Sequence, residues 1–350
     1  MTILVIVAGG KGTRLAGVIG GLPKVLASIG GKDNLSRLLE LGQEYGYRRA
    51  IILAGEGFEQ IESHLSETSG PQGIQADIVV EHEPGGTAGC FRELRGKIKE
   101  RMLVLYGDIS CDFDLARFEQ FHEQHSQAVS VLVQPNSHVF DSDLVSLNEE
   151  GAIREIHRKP HQVGCFYENL TNAAAYCMEP SILDWLQEGA CDWFHDVFPA
   201  LIVKGNLPMA YRSWEYLQDF GTPERFEKAE MDYQNGIVGN RRADGHRTGA
   251  LVVEVTTESL FCVTAIETIR KANNRRIPVM MTGYISQQHQ EQLTDCSVYA
   301  DELYQIKYDK VASMEKICHD NGINLAKTTI CSLTEQGEID VPTDALCWVQ

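Results

Sequence analysis

Hydrophobic residues in the first part of the chain form short continuous runs, separated by amphipathic segments. The run from Ile3 to Ala8 is entirely apolar, rich in β-branched residues and followed directly by glycines. Such a run is typical of a parallel strand that is covered on both faces. We therefore expect this segment to form a strand in the middle of a sheet.

The following segments alternate between helical and extended patterns. The helical pattern predicts helices over Asn34–Tyr45 (with Asn34 as the N-cap), Phe58–Leu65 and Asp114–His125. Apolar runs predict strands over Ala50–Ala54, Ala76–Val80, Met102–Tyr106 and Ala128–Val133. This alternation indicates a doubly wound α/β structure, in which ligands bind at the carboxyl ends of the strands.

A polar, glycine-bearing stretch over residues 235–245 interrupts the pattern and predicts a linker. We place a first domain at residues 1–235, the linker at 236–248 and a smaller α/β domain at 249–350. The elements predicted in the smaller domain are a strand at Ala250–Glu254, a helix at Val263–Asn273, a strand at Ile277–Met281, a helix at Asp309–Asn321 and a strand at Thr328–Ser332.

Charge and composition limit the partners of the protein. The 350 residues carry a formal net charge of −18, which disfavours a nucleic-acid partner because a basic surface is needed to displace phosphate counterions. No apolar stretch is long enough to cross a bilayer and no basic leader precedes the first strand, so we expect a cytoplasmic protein without a membrane partner. The ten cysteines form no C-x-x-C pair and are expected to be buried thiols.

Candidate chemistry begins directly after the first strand. Three glycines lie within the turn Gly9-Gly10-Lys11-Gly12-Thr13-Arg14-Leu15, and Leu22-Pro23-Lys24 follows. Glycines let a backbone approach phosphate closely and present its N–H groups to the anion. A tight strand-to-helix turn would explain the glycines alone, but two cations beside it in so acidic a chain favour a phosphate site.

These residues resemble the signature of the sugar nucleotidyltransferase family, and four further motifs follow in the family's order. The motifs are Gly86-Thr87-Ala88-Gly89, Tyr106-Gly107-Asp108, Asn172-Ala173-Ala174-Ala175-Tyr176 and Asp219-Phe220-Gly221-Thr222-Pro223-Glu224-Arg225. The resemblance covers residues 1 to about 235 and implies a Rossmann-like catalytic domain. Members of the family make nucleotide sugars from a nucleoside triphosphate and a sugar 1-phosphate and release pyrophosphate.

The resemblance implies a role for each matching residue. The catalytic residues would be Arg14, Lys24, Asp108 and Asp219, with both aspartates holding Mg²⁺. The nucleotide-binding residues would be Ala8, Gly9, Gly10, Gly12, Thr13, Arg14, Glu81, Gly86, Thr87 and Ala88, and the substrate-binding residues Lys159 and Asn172. Because both reactants are anions, cations and a metal are needed to offset their repulsion and the charge of the transition state.

Glu81 bears on the choice of base. It stands where relatives that transfer uridylyl or thymidylyl groups usually carry glutamine. An ionised carboxylate only accepts hydrogen bonds, and guanine offers it two adjacent donors, whereas uracil and thymine offer one N–H between two carbonyls. Residues 81–89 are also similar to the corresponding stretch of mannose- and heptose-1-phosphate guanylyltransferases. GTP is therefore the expected nucleotide, and the product is expected to be similar to GDP-mannose or GDP-heptose.

The sugar itself stays open. Residues 135–138, 141–145 and 196–199 resemble the heptose-1-phosphate branch, but His195 stands where that branch usually has lysine. Uridylyl or thymidylyl transfer to a hexose 1-phosphate is an alternative within the same class. A regulatory subunit that binds nucleotide sugars without turnover is a second alternative, disfavoured because Arg14, Lys24, Asp108 and Asp219 are all present.

Residues from about 250 onward resemble the capless haloacid dehalogenase phosphatases that act on sugar-acid phosphates. The positions of that family's catalytic and metal-binding aspartates hold Glu254, Thr256, Leu333 and Thr334, and only Thr282 and Lys310 of its phosphate-binding set are kept. We expect this domain to be inactive as a phosphatase. Because relatives of this type form tetramers, the resemblance implies a scaffold for a homo-oligomer, with a purely structural unit as the alternative.

Overall fold

A computed structural model describes most of the chain between residues 2 and 340. The described residues are 2–10, 12, 14–67, 73–81, 84–125, 127–134, 142–161, 167, 170–213, 215–238, 251–255, 259–274, 279–283, 286, 288–289, 291–292, 302–304 and 329–340. Of the site residues predicted in the first domain, only Thr13 lies outside these ranges.

The N-terminal part, up to residue 238, alternates strands and helices. Its strands are β1 (Thr2–Ala8), β2 (Ser28–Ile29), β3 (Lys32–Asp33), β4 (Arg49–Ala54), β5 (Gln75–Val80), β6 (Arg101–Tyr106), β7 (Ile109–Asp112), β8 (Val129–Gln134), β9 (Leu144–Leu147), β10 (Ile153–His157), β11 (Thr171–Met178), β12 (Met209–Arg212) and β13 (Tyr216–Asp219). Its α-helices are α1 (Ala16–Ile19), α2 (Asn34–Glu44), α3 (Phe58–Glu67), α4 (Gly86–Gly89), α5 (Leu115–His125), α6 (Phe198–Val203) and α7 (Pro223–Gln234).

One large mixed sheet organises this part of the chain. Its main path runs β10-β9-β11-β6-β1-β4-β5, with β8 paired to both β11 and β12. The pairs β6–β1, β1–β4 and β4–β5 are parallel, whereas β11 runs antiparallel to β6 and β8. Because β1 has β4 on one side and β6 on the other, the strand order reverses beside β1. A crevice at the carboxyl ends is expected at such a point.

The burial of β1 confirms the predicted central strand. Ile3, Val5 and Val7 pack into the hydrophobic core on one face of the sheet. Leu4 and Ile6 pack into the core on the other face, together with residues of α2 and α5. The strand therefore lies between two apolar layers, and its backbone polar groups are satisfied by the parallel partners β4 and β6.

The sequence predicted the four parallel strands β1, β4, β5 and β6, the strand β8 and three of the helices, but not the rest of the sheet. The predicted helices α2, α3 and α5 and the predicted strands β4, β5, β6 and β8 occur within two residues of their predicted ends, whereas the long helix α7 was not predicted. The hydrophobic pattern did not predict the antiparallel partner β11, the small strand pair β7–β13 or the short helix α4. The sequence of β11 begins with Thr171 and Asn172 and continues with three alanines, so it lacks the β-branched apolar run that identified β1.

The predicted N-cap of α2 is wrong. Asp33, not Asn34, has the extended backbone of an N-cap, and its carboxylate accepts the Ser36 N–H at 2.8 Å. Asn34 is fully buried as the first residue of the helix, where its amide serves the site described below.

A second sheet lies in the C-terminal part, from residue 251 onward. Its elements are β14 (Leu251–Val255), α8 (Val263–Asn274), β15 (Val279–Gly283), β16 (Glu302–Tyr304), β17 (Thr329–Leu333) and β18 (Ile339–Asp340). The strand order is β16-β15-β14-β17-β18, parallel except for β18. Thus the predicted strands near 250, 277 and 328 and the helix from 263 are confirmed in type. The predicted helix at Asp309–Asn321 and most of the linker lie outside the described residues.

Replacing Phe91 by alanine tests the hydrophobic core on one face of the sheet. Phe91 is fully buried and packs edge-on against Trp193, with ring centroids 5.3 Å apart. We expect Phe91→Ala to lower the free energy of unfolding by about 3–5 kcal/mol, because it leaves a cavity. Urea denaturation followed by tryptophan fluorescence measures this loss. Val203→Ala, at a side chain that is 83% exposed, is the control and should change little. Equal stability of the two variants would contradict this packing.

Candidate active site

The glycine-rich turn leaves the carboxyl end of β1 and folds back over Lys24. Gly12 has a left-handed backbone with φ of +56°, and a Cβ there would lie 3.2 Å from Lys24 Cγ. Glycine is therefore required both by the backbone conformation and by the close approach of the lysine stem. Arg14 follows with an exposed side chain that makes no hydrogen bond or ion pair within the described part of the chain.

Lys24 and Asp108 form an ion pair at the ends of β1 and β6. Lys24 Nζ donates to Asp108 Oδ2 at 2.9 Å. The turn that presents Asp108 lies against β1, because Gly107 N–H donates to Val7 O at 2.8 Å. A Cβ on Gly107 would lie 2.9 Å from Val25 Cβ, so only glycine allows this contact between the two segments.

Asp219 is brought to the same place by the strand pair β7–β13. It is the last residue of β13 and lies opposite Ile109, and Phe220 N–H donates to Asp108 O at 3.1 Å. Its carboxylate accepts Gly221 N–H at 2.5 Å and Arg225 Nη1 at 2.8 Å. A Cβ on Gly221 would lie 3.0 Å from Asp219 Oδ1 and 3.6 Å from Lys24 Nζ. The predicted catalytic residues Lys24, Asp108 and Asp219 therefore share one small volume.

Asn34 holds the turn of Asp108 and was not recognised from the sequence as a site residue. Its Nδ2 donates to Gly107 O at 3.1 Å and to Ile109 O at 2.9 Å, the carbonyls on either side of Asp108. Its Oδ1 is buried without a hydrogen-bond partner in the described residues. The only signal in the sequence was a polar residue at the start of an apolar helix, which local rules assign to capping.

Glu81 lies at the carboxyl end of β5, close to the ends of β1 and β4. Its Oε1 accepts Gly85 N–H at 2.7 Å and so holds the start of the second glycine-bearing turn. Its Oε2 would lie 3.2 Å from a Cβ on Gly9 and 3.7 Å from one on Gly55. The carboxylate thus lies over two glycines at the strand ends, and a side chain at Gly9 would crowd it.

The turn at Gly86, Thr87 and Ala88 is fixed by a neighbouring loop. Cys191 O accepts Ala88 N–H at 2.9 Å and Cys191 N–H donates to Gly85 O at 2.7 Å. Gly86 has φ of +80°, and a Cβ there would lie 2.6 Å from Cys191 O, so a side chain cannot be accommodated. Tyr106, at the end of β6, donates its hydroxyl to Thr87 O at 2.9 Å. These contacts place the turn beside the Asp108 segment.

Asn172 occupies an irregularity in β11. Its Oδ1 accepts Ala174 N–H at 2.9 Å, and Ala174 has φ of +54°, which is unusual for a residue with a side chain. Its Nδ2 donates to the Tyr176 hydroxyl at 2.7 Å. Burial raises the pKa of Tyr176 well above its ordinary value, so the hydroxyl keeps its proton and accepts this bond as a neutral group.

Lys159 follows β10 and belongs to a second polar group. Its backbone N–H donates to Asp143 Oδ1 at 3.0 Å, and the other oxygen of Asp143 lies 2.9 Å from His195 Nε2. Burial alone would raise the pKa of Asp143, but the hydrogen bonds from Lys159 N–H and His195 lower it below its ordinary value. Asp143 and His195 were not among the predicted site residues.

The donor set at Asp108 and Asp219 fits one hard cation. Mg²⁺ takes oxygen ligands and commonly binds through one or two carboxylates, with substrate phosphates and water completing its shell. Among the described residues no three His, Cys, Asp or Glu side chains cluster as a complete metal site. Two carboxylates fit a metal whose remaining ligands are supplied by a bound phosphate and water.

Glycine turns, two carboxylates and a lysine at the switch point of a Rossmann-like mixed sheet place this chain in the class of α/β proteins that have a candidate ligand site at the strand ends. The family comparison narrows this class: the nucleotidyl transferase family model matches residues 3–236, and the chain belongs to that family. The matched residues end before the second sheet begins.

Curated relatives at similar levels of identity include two guanylyltransferases. The mannose-1-phosphate guanylyltransferase catalytic subunit beta of Drosophila pseudoobscura pseudoobscura is 29% identical over 228 residues, covering 64% of this chain and 60% of the relative. The mannose-1-phosphate guanylyltransferase of Mycobacterium tuberculosis (strain ATCC 25618 / H37Rv) is 28% identical over 251 residues, covering 71% and 69%. The chain thus spans 60% of the length of the first of these relatives.

Solved structures share the fold. HddC from Yersinia pseudotuberculosis aligns with a TM-score of 0.58 and 25% identity, covering 67% of this chain and all of that chain. UDP-glucose pyrophosphorylase complexed with UDP-glucose aligns with a TM-score of 0.57 and 18% identity, covering 67% of this chain and 99% of that chain. No helix in the described ranges combines the length and apolar character needed to span a membrane.

Replacing Asn34 by leucine tests its hold on the Asp108 turn. The change keeps the size of the side chain but leaves two buried carbonyls without a donor, at a cost of about 1–3 kcal/mol each. We expect a clear fall in the free energy of unfolding, measured by urea denaturation. Asn206→Leu makes the same chemical change at an exposed position and should be close to neutral. Wild-type stability of Asn34→Leu would show that these hydrogen bonds do not hold the turn.

Proposed function

We propose that the chain is a sugar-1-phosphate nucleotidyltransferase that transfers GMP from GTP to a sugar 1-phosphate. The observation that carries this proposal is the grouping of Lys24, Asp108 and Asp219 at the strand ends, in a chain of the nucleotidyl transferase family. The mannose-1-phosphate guanylyltransferase relatives support a sugar 1-phosphate as acceptor and guanine as base.

In the proposed reaction an oxygen of the sugar 1-phosphate attacks the α-phosphorus of GTP. The new P–O bond forms as the bond from the α-phosphorus to the α,β-bridging oxygen breaks, and pyrophosphate leaves. The attacking oxygen is already anionic, so no general base is needed. The difficulty is charge, because two anions must meet and the leaving pyrophosphate gains charge as it departs.

Positively charged groups in fixed positions would offset the repulsion between the two anionic substrates. Lys24, held at Asp108, would contact the α-phosphate, and exposed Arg14 on the glycine-rich turn would hold the β- and γ-phosphates. Asp108 and Asp219 would hold Mg²⁺, which supplies charge neutralisation to the bound phosphates. Arg225 keeps Asp219 in an orientation set by its 2.8 Å ion pair.

Base selection would fall to Glu81. The carboxylate has about four lone-pair positions, and Gly85 N–H takes one of them. The remaining positions can accept the ring N–H and the amino group of guanine, the two donors that uracil and thymine lack as a pair. Thr87 and Ala88 would border the nucleotide, and Lys159 and Asn172 the sugar phosphate.

The C-terminal sheet, in the same proposal, is a haloacid dehalogenase-like unit at 249–350 that lacks phosphatase activity and joins subunits into a homo-oligomer. Glu254 at the end of β14 accepts a hydrogen bond from Ser332 Oγ at 3.0 Å, and Leu333 beside it is buried. Buried leucine offers no metal ligand, which supports a structural role. The lysine and threonine expected to bind phosphate there, Lys310 and the side chain of Thr282, lie outside what the structure describes.

Pyrophosphate release tests the proposed reaction. Purified protein with Mg²⁺ is assayed against GTP, UTP, dTTP and CTP, each combined with mannose-, heptose-, glucose- and glucosamine-1-phosphate. We expect GTP-dependent release, and Asp108→Asn should reduce kcat/KM by about a hundred- to thousandfold, as for loss of one transition-state contact. Asp184→Asn, at an exposed acid, is the matched control and should retain activity. No release with any pair would favour the regulatory alternative.

Replacing Glu81 by glutamine tests base selection separately. The amide still accepts Gly85 N–H but turns one acceptor into a donor that faces the guanine donors. We expect the ratio of kcat/KM for GTP over UTP to fall about tenfold or more, corresponding to loss of one charge-assisted hydrogen bond of about 1.5–3 kcal/mol. Glu59→Gln, at an exposed position in α3, is the control. An unchanged ratio would remove Glu81 from base selection and leave the transfer reaction standing.

A further inference from the structure

A chain of hydrogen bonds runs from the nucleotide turn to the Lys159 turn. Thr87 Oγ1 donates to Asp192 Oδ2 at 2.6 Å, and Asp192 Oδ1 accepts His195 N–H at 2.9 Å. His195 Nε2 lies 2.9 Å from Asp143 Oδ2, and Asp143 Oδ1 accepts Lys159 N–H at 3.0 Å. The two turns that are proposed to hold the two reactants are therefore joined through three side chains.

A further bond ties the same segments from the other direction. The Arg158 guanidinium donates through Nη2 to His195 O at 2.7 Å, so His195 is held to the 158–159 turn directly through its backbone and, by way of Asp143, through its ring. His195 lies in the single π-helical turn Trp193–Val197, for which Asp192 is the N-cap. The Asp192 carboxylate therefore both caps this turn and accepts a hydrogen bond from the Thr87 hydroxyl.

We propose that His195 and Asp143 are positioning residues that couple the nucleotide turn to the sugar-phosphate turn, so that bound GTP increases the affinity for the sugar 1-phosphate. This inference rests on the proposed function. When nucleotide phosphates settle against Thr87, the hydroxyl and its partner Asp192 are fixed. The π-helical turn, and with it His195, is then fixed against Asp143, and Asp143 holds the backbone that presents Lys159.

The exposure of these residues explains why the hydrogen bonds of His195 and Asp143 can determine the position of the 158–159 turn. Arg158 and Lys159 are exposed, and the side chain of His195 is 51% exposed, so packing against the core does not set the position of the turn. Polar contacts are then the main constraint on its backbone. Basic side chains gathered at one rim of a chain with net charge −18 would attract a phosphate group, but the gain depends on holding them in place.

Titration calorimetry with mannose 1-phosphate tests the coupling directly. Its dissociation constant is measured with Mg²⁺ in the presence and absence of a GTP analogue that cannot be cleaved between the α- and β-phosphates. For the wild-type protein we expect the analogue to tighten binding by about tenfold, within the usual range of coupling between sites. His195→Phe keeps an aromatic ring but removes the bond to Asp143, and this tightening should fall to nearly onefold.

Conservative and double variants separate positioning from a purely structural role. His195→Gln retains a donor that can reach Asp143 and should keep most of the coupling. Thr87→Val removes the hydroxyl at the other end and should lose the coupling to a similar extent. Because both changes break one chain of contacts, the double variant Thr87→Val/His195→Phe should be no worse than either single variant. Thermal unfolding of each variant checks that the fold is kept.

The outcomes are distinct from those that test the proposed function. Full coupling in His195→Phe would overturn the inference even if the wild-type protein releases pyrophosphate. Additive losses in the double variant would also overturn it, since they would assign Thr87 and His195 to independent contacts. An absence of pyrophosphate release in the wild-type protein contradicts the transferase, whereas loss of coupling in the variants still supports a connection between two binding sites.

Discussion

The burial of β1 on both faces is the constraint from which the site follows. A strand covered by two apolar layers can present polar groups only at its ends, and the parallel neighbours β4, β5 and β6 end at the same edge. Gly9, Gly55, Glu81 and Gly107 are thereby brought to one edge of the sheet. The reversal of strand order beside β1 opens this edge, because successive crossovers leave in opposite directions there.

Glycines at this edge allow the neighbouring backbone segments to approach closely. Gly12 admits the stem of Lys24, Gly107 admits Val25, and Gly86 admits the Cys191 carbonyl. The first two contacts bring backbone segments toward the volume that Lys24 shares with Asp108 and Asp219, and the third fixes the turn at Gly86. In so acidic a chain, Lys24 also offsets the repulsion between the two carboxylates before a metal or a phosphate binds. Binding would then exchange this ion pair for contacts with the substrate.

Local patterns in the sequence were sufficient for the parallel half of the sheet but not for the connections between its parts. The β-branched run of β1 and the apolar face of α2 can be recognised in the sequence, because burial determines the spacing of their apolar residues. The roles of Asn34 and His195 do not, because their partners lie 73 and 52 residues away and depend on how β7, β9 and the π-helical turn are placed. The motif at Asp108 indicated a site, but which side chains hold that motif in place is a property of the folded chain.

The central claim is that a guanine nucleotide binds across the strand ends, between Glu81 and the Lys24 group. The most direct measurement is a crystal structure of the full chain with Mg²⁺ and an uncleavable GTP analogue. We expect the guanine edge against the Glu81 carboxylate, the α-phosphate beside Lys24 Nζ, and the metal on Asp108 and Asp219. A nucleotide bound elsewhere, or bound there with its base turned away from Glu81, would contradict the claim.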